Sequence, residues 1–344
     1  MVYRSRQHSY RDLRSLIQRS FEDIPGFGDQ VEVDGKINRI AEGIWHDNYW
    51  FFIQGRDLTA ALTEQAYVLR LVQQQYDWQR GPESGNRLVR EAETLQALMS
   101  SDFAHPTPGF VCFVMGDNSE PIGMIETALS GVSLDHLKDR STLKRISQVA
   151  ADVHRLDAGR FAHLPSSKTR AQHVQSRLDE IDGDLFAEFP LADKVRDWIA
   201  NYLPSDDQTC VLHGDLLPQN LLHDWQSSGD AKGLVAVVDW EMAQIGDPAY
   251  DLAIVSRGNR KVLRANDGLQ VLLNDYANFG GREISLADVR VHELLLILHW
   301  LEEAWREYQK PTPYGHGPEF YETKLQSLFR RTLNHSVSKR PKLS

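Results

Sequence analysis

The order in which strand and helix signals alternate constrains this 344-residue chain more than any other feature. Within residues 37–72, INRIAEGIWHDNYWFFIQG reads as two strands around a tight polar tip at His46, Asp47 and Asn48. AYVLRLV reads as a third strand, nearly all apolar except Arg70. RLVREAETLQALMS then takes up helical spacing, and VCFVM and PIGMIETAL return to strands about the turn GDNSEP. Strands, one helix and more strands predict a small, mostly antiparallel sheet with a helix packed on it. After Gly131 helical spacing dominates, interrupted at 209–240 by the β-runs TCVLHG, NLLHDW and LVAVVDW, the last two separated by the turn QSSGDAKG. The expected architecture is α+β: a small sheet lobe over 36–125 and a larger, mainly helical lobe over 126–344. Residues 1–35 form an N-terminal extension with Leu13, Leu16, Ile17 and Phe21 at helical spacing. That helix is either docked on the protein or laid on a membrane surface.

The formal net charge of −10 argues against nucleic acid as a partner, because phosphate backbones recruit stripes of Lys and Arg. No run approaches the ~18 apolar residues of a membrane span. The polar, basic start MVYRSRQHSYRDLRSLIQRSF has no apolar signal core, so a cytoplasmic location is expected. Two cysteines, Cys112 and Cys210, both in apolar surroundings, read as reduced buried thiols.

The residues with the most chemical content are HGDLLPQN at 213–220. The motif sits on a loop between two β-runs. A carboxylate at Asp215 can orient an attacking hydroxyl or accept its proton, and the amide oxygen of Asn220 can bind a metal held against the same phosphates. Nineteen residues on, Asp239 ends the strand of VAVVDWE. A hairpin over 221–238 returns Asp239 to the level of Asn220, where two oxygen donors can hold Mg2+. Glu241 lies two residues further and reads equally as a second metal ligand or a structural hydrogen-bonding group. In GDPAYDLA, Asp247 reads as an N-cap with Pro248 at the first helical position, and Asp251 as compensating the helix dipole while bracing the Asp215 loop.

HGDLLPQN, VVDWE and DPAYDLA, in this order and spacing, resemble the aminoglycoside phosphotransferase and choline kinase family, whose fold is similar to that of protein kinases. The resemblance spans roughly residues 40–255. It implies a kinase acting on small molecules, with Asp215 as base or substrate-orienting group and Asn220 and Asp239 holding Mg2+. WHDNYW resembles the nucleotide-binding loop, placing Asn48 over the phosphates, although Asn48 reads equally as a turn former. Arg70 then contacts the α- and β-phosphates of ATP or GTP, oriented by Glu91, and backbone groups near Glu126 and Ala128 meet the adenine edge. The chain departs from related patterns at three places. Arg70 stands where aminoglycoside kinases usually have Lys, as in choline-kinase-like branches. Leu217 stands where protein kinases carry Lys, which points away from peptide substrates. The nucleotide-loop tip holds only Gly43 in place of a Gly-rich loop.

In such a family the acceptor lies between the catalytic loop and the C-terminal helices. HWLEEAWREYQ offers Trp300 and Glu303, an aromatic face and a carboxylate suited to a cationic, hydroxyl-bearing small molecule. The same residues also read as one side of an amphipathic helix whose core stripe is Leu294, Ile297, Leu298 and Leu301. The alternatives to an active kinase are a nucleotide-binding pseudokinase with a regulatory role and a lipid-binding protein using the basic N-terminal helix.

Overall fold

The computed structural model describes residues 10–22, 24–27, 31–42, 46–56, 58–72, 83–136, 140–204, 206–223, 235–256, 267–311, 313 and 315–338. In chain order the elements are α1 (Tyr10–Phe21), β1 (Glu32–Glu42), β2 (His46–Gln54), α2 (Ala60–Glu64), β3 (Tyr67–Val72), α3 (Glu83–Met99), β4 (Phe110–Met115), β5 (Pro121–Thr127) and β6 (Val132–Ser133). They continue with α4 (Arg140–His154), α5 (Arg170–Asp179), α6 (Gly183–Glu188), α7 (Pro190–Ala200), β7 (Cys210–Leu212), β8 (Leu221–His223), β9 (Val235–Val237) and β10 (Gln244–Gly246). Four helices close the chain: α8 (Ala249–Val255), α9 (Gly268–Asn278), α10 (Leu286–Tyr308) and α11 (Pro318–Ser338). Two compact units result, one of Met1–Ser133 with Asn220–Met242, the other of Leu134–Gln219 with Ala243–Ser344. The boundary expected at 125/126 falls inside β5.

In the first unit, five antiparallel strands run in the order β1-β2-β3-β5-β4. Strand alternation sends Tyr49, Phe51, Ile53, Leu69, Leu71 and Ile125 to one core cluster, which Leu13, Ile17 and Phe21 of α1 complete. Burying three such side chains stabilises by roughly 1.5–3 kcal/mol each. Arg14 of α1 also donates to the carbonyls of Val33 and Gly35. The amphipathic N-terminal stretch is therefore a docked helix of the sheet unit. The strand turn expected at His46–Asn48 is displaced, because those three residues already lie in β2; residues 43–45, Gly43 among them, lie outside the described residues. A second small sheet, β6-β8-β9, belongs to the same unit. Its expected turn, QSSGDAKG, also lies outside the described residues.

The second unit is mainly helical, with the antiparallel pair β7–β10. Its core joins α5, α6, α7, α10 and α11 through Val174, Leu178, Val195, Leu294, Leu298 and Leu325. Ser285 and Asp288 start α10 with reciprocal side chain–backbone hydrogen bonds. Leu294, Ile297, Leu298 and Leu301 form its buried stripe, as the periodicity predicts. Between residues 160 and 205 the chain forms three helices, α5, α6 and α7. The last helix, α11, continues to Ser338.

Candidate active site

Arg70 is the centre of a buried charge cluster in the first unit. Antiparallel register sets Asn48 opposite Arg70, Arg70 opposite Met124 and Val68 opposite Glu126, so these residues share the face of the sheet away from α1. Strand β5 approaches β3 closely at Gly123, where a Cβ would stand 2.4 Å from the Arg70 carbonyl oxygen. Arg70 Nη1 donates to Glu91 Oε1 of α3 at 2.6 Å, and Nη2 donates to Asp239 Oδ1 at 2.8 Å. His46 Nδ1 lies 3.3 Å from Nη2 and 3.1 Å from Glu241 Oε2. Burial pulls the guanidinium pKa down, but Glu91, Asp239, Glu126 and Glu241 together hold it above its ordinary value, so Arg70 stays charged.

Carboxylates outnumber cations here. Burial pushes the Glu91 carboxyl up, against the opposing pull of Arg70. Burial likewise raises Glu126 to about 7, with Arg70 lowering it and Asp239 adding to the rise. Arg70 Nε, Glu91 Oε2, Glu126 Oε2 and Asn48 Oδ1 are buried with no hydrogen-bond partner among the described residues. Each such atom costs on the order of 1–3 kcal/mol.

Asp239 follows strand β9 in the left-handed backbone region, with φ 71°. For a residue other than glycine this costs on the order of 1–3 kcal/mol and persists only where neighbours enforce it. Trp240 enforces it. Its fully buried ring packs edge-on against Phe103, its indole N–H donates to Val237 O at 3.2 Å, and its backbone N–H donates to Glu91 Oε1 at 3.1 Å. Glu91 therefore holds both Arg70 and the turn that carries Asp239. The β8–β9 hairpin pairs Leu221 with Val237, and Val238 N–H donates to Asn220 O at 3.0 Å. Asp239 thus returns to the level of buried Asn220, as the motif spacing predicts. At the end of β5, the backbone groups of Ala128 are engaged within the chain: its N–H donates to Ala66 O at 2.8 Å and its carbonyl accepts from Gln65 Nε2 at 3.1 Å.

The HGD loop belongs to the second unit. Gly214 has φ 80°, a conformation that costs other residues roughly 1–2 kcal/mol. Asp251 of α8 is fully buried and braces the loop by accepting from His213 N–H at 2.8 Å and Gly214 N–H at 2.9 Å. His154 Nε2 approaches the same carboxylate at 3.2 Å, while its Nδ1 meets the Tyr276 hydroxyl at 2.9 Å. Burial works against ionisation of Asp251, but His154, His213 and the backbone donors hold its pKa below the ordinary value. The next residue, half-buried Asp215, donates its own N–H to His213 Nδ1 at 3.2 Å.

Asp247 does more than its sequence position suggests. Pro248 occupies the cap position of α8, and the Asp247 carboxylate accepts from Ala249 N–H at 3.0 Å, from Arg170 Nε at 2.8 Å and from His292 at 2.9 Å. Against burial, His292 and Arg170 hold it well below the usual carboxylate range. His173 accepts the Asp247 N–H on Nδ1 at 3.2 Å, so its Nε2 carries the proton toward Gln244 Oε1 at 3.0 Å. Burial, aided by His292, lowers the His173 pKa to about 4. No sequence motif marks Arg170, His173 or His292, because their partner lies far along the chain.

Trp300 and Glu303 are both on α10. The Trp300 ring packs against the helical core and lies 6.3 Å from the ring of Tyr321, while Glu303 is exposed.

Comparison with known proteins adds a family to this geometry. The model of the phosphotransferase enzyme family matches residues 36–282. Acyl-CoA dehydrogenase family member 11 of Rattus norvegicus is 25% identical over 269 residues, covering 73% of this chain. The match takes in only 31% of that relative, so the chain spans about a third of its length. Viomycin phosphotransferase of Streptomyces vinaceus is 29% identical over 185 residues, 50% of this chain and 63% of that one. The solved GDP complex of wild-type aminoglycoside 2'-phosphotransferase-IIIa shares the fold, with a TM-score of 0.59 at 14% identity, over 95% of this chain and 100% of that one.

Proposed function

Because this chain belongs to the phosphotransferase enzyme family, we propose that it is a small-molecule kinase moving the γ-phosphoryl group of ATP or GTP onto a substrate hydroxyl. The observation that carries this reading is the Arg70 cluster: a permanently charged guanidinium held between Glu91 and an Asp239 whose backbone is kept in a strained conformation. Strain maintained by a buried tryptophan and a buried ion pair is characteristic of a site organised for a ligand. Asn220 and Asp239 are hard oxygen donors at the two ends of one hairpin, and they fit Mg2+, which takes one or two protein ligands and completes its shell with phosphate and water. When bound, Mg2+ supplies neutralisation of phosphate charge. Arg70 neutralises the α- and β-phosphates, and Asn48, opposite it on β2, lies on the same face. The backbone near Glu126 and Ala128 borders the base. Asp215, on a loop braced by Asp251, orients the acceptor hydroxyl and takes its proton late, since little proton transfer has occurred in a loose transition state.

The acceptor is a hydroxyl-bearing small molecule. Its cationic form is favoured if Trp300 and Glu303 belong to its site. Cys112 and Cys210 are free thiols, and no helix among the described residues is long and apolar enough to cross a membrane; we place the protein in the cytoplasm. The test is nucleotide consumption over a panel of aminoglycosides, viomycin-like peptides, choline-like amines, sugars and hydroxy acids. Asp215→Ala is expected to abolish turnover while leaving Mg2+–nucleotide binding intact, and Asp239→Ala to weaken that binding. Wild-type turnover in Asp215→Ala would remove the base assignment. Binding without turnover over the whole panel would favour a nucleotide-binding regulator.

A further inference from the structure

Two of the buried unpartnered atoms on the Arg70 face are complementary. Arg70 Nε–H is a donor carrying positive charge, and Glu126 Oε2 is an acceptor on a carboxyl group. Arg70 pairs across β3–β5 with Met124 and Val68 pairs with Glu126, so Arg70 and Glu126 are diagonal neighbours on one face. Long side chains span that separation. A lysine ammonium can be aimed by a single carboxylate. A guanidinium is a planar fork, and one contact leaves its plane free to turn. In the structure described, the second carboxylate contact is Asp239, at 2.8 Å from Nη2, with the His46 ring nitrogen Nδ1 beside it at 3.3 Å. On the phosphotransferase reading, on which this inference rests, Asp239 serves the metal once nucleotide is bound and is no longer available to hold Arg70.

We propose that Glu126 is a positioning residue that takes the Nε edge of Arg70 when Asp239 turns to the bound Mg2+–nucleotide, leaving Glu91 on Nη1 and freeing Nη2 for phosphate. Asn48 Oδ1 is also an unpartnered acceptor, directly across from Arg70. Being neutral, it does not replace the charge that Asp239 withdraws, whereas Glu126 does. The arrangement also accounts for arginine at this position: arginine on β3 comes with a second carboxylate on β5 to set its plane.

The experiment is a double-mutant cycle on the full chain, reading the Kd of a fluorescent N-methylanthraniloyl ATP with Mg2+ for wild type, Arg70→Lys, Glu126→Gln and the double variant. Glu126→Gln is isosteric; it removes the charge and turns one acceptor oxygen into an NH2 donor. It is expected to raise Kd about tenfold with Arg at 70 and less than twofold with Lys at 70, because lysine offers no Nε edge. Equal losses in the two backgrounds overturn the proposal, since Glu126 would then act without Arg70; so does no loss in the Arg70 background. A second readout applies even if Arg70→Lys binds too weakly to titrate. In 15N spectra of arginine side chains, Mg2+ with a non-hydrolysable ATP analogue should shift one Nε–H resonance downfield in wild type. The signal should be absent in Arg70→Lys and unshifted in Glu126→Gln, and a shift retained in Glu126→Gln overturns the proposal. Failure of wild type to bind nucleotide at all would instead strike at the kinase reading itself, and the proposal would fall with it.

Discussion

Replacing Asp251 by Asn tests whether the Asp215 loop depends on a charge beneath it. The carboxylate has three partners, His213 N–H at 2.8 Å, Gly214 N–H at 2.9 Å and His154 Nε2 at 3.2 Å, and no solvent access. Asparagine keeps the shape but exchanges one acceptor oxygen for an NH2 donor. However the amide turns, its nitrogen faces one of two backbone N–H groups. The variant loses a charge-assisted hydrogen bond, roughly 1.5–3 kcal/mol, and leaves a buried N–H unmatched, roughly 1–3 kcal/mol. The expected destabilisation is therefore about 3–5 kcal/mol, or a Tm lower by roughly 10 °C for a chain of this size. A displacement of the loop by ~1 Å should also reduce kcat by on the order of 100-fold. The nucleotide KM should move less than threefold, because none of the groups around Arg70 is altered. Urea and thermal unfolding give the first quantity, and turnover at a temperature where both proteins are folded gives the second. A variant that melts within 2 °C of wild type and turns over at the wild-type rate would refute the bracing role.

Two further outcomes follow from buried groups elsewhere. His173 has its folded pKa lowered to about 4 from an ordinary 6.5, so the unfolded chain binds the extra proton between those values, and stability is full above 6.5 and lost as pH falls toward 4. Urea unfolding should show roughly 2 kcal/mol less stability from this group at pH 5 than at pH 6.5, and a loss of the same size in His173→Gln would show that another group titrates. Gly123→Ala puts a Cβ 2.4 Å from the Arg70 carbonyl and should cost about 2–3 kcal/mol and weaken nucleotide binding. Gly183→Ala, with open space around the added Cβ, should stay within about 0.5 kcal/mol, and equal effects at the two positions would contradict the close-approach reading.

Motif spacing carried the hairpin geometry, because Asn220 and Asp239 are joined by a local structure whose register a turn can set. The Arg70–Glu91 pair was readable through the family resemblance and not from periodicity alone, since α3 carries Glu83, Glu91 and Glu93. The docking of α1 was readable only as one of two options: an amphipathic stripe states that a face must be covered, not by what. The Glu126 carboxyl escaped sequence reading because its significance depends on the strand order β3-β5-β4, a non-local fact. The Asp247 network escaped it for the same reason, with Arg170 and His292 lying 77 and 45 residues away. His46–Asn48 looked like a turn because polar residues dominate turns, yet they lie in β2, where alternation puts His46 and Asn48 on the Arg70 face of the sheet.

The two halves of the proposed chemistry are each supported from within their own unit. Arg70, Glu91, Trp240 and Asp239 stabilise one another in the first, and Asp215, His213, Asp251, His154 and Tyr276 form a continuous chain of contacts in the second. Energetic coupling between residues that share no partner is small, whereas residues in one hydrogen-bonded network couple by about 0.5–3 kcal/mol. Substitutions within either network should therefore be strongly non-additive, while one from each should combine almost additively in stability. For function the separation takes a different form. On the proposed kinase reading, changes around Arg70 are expected to act on nucleotide affinity, where a misaimed cation is felt in the ground state and the transition state alike, and changes around Asp251 on kcat, where only the alignment of the attacking hydroxyl is lost. On the same reading, substitutions confined to the helical unit should change which acceptor is used while nucleotide affinity stays constant, since the Arg70 network lies wholly within the first unit.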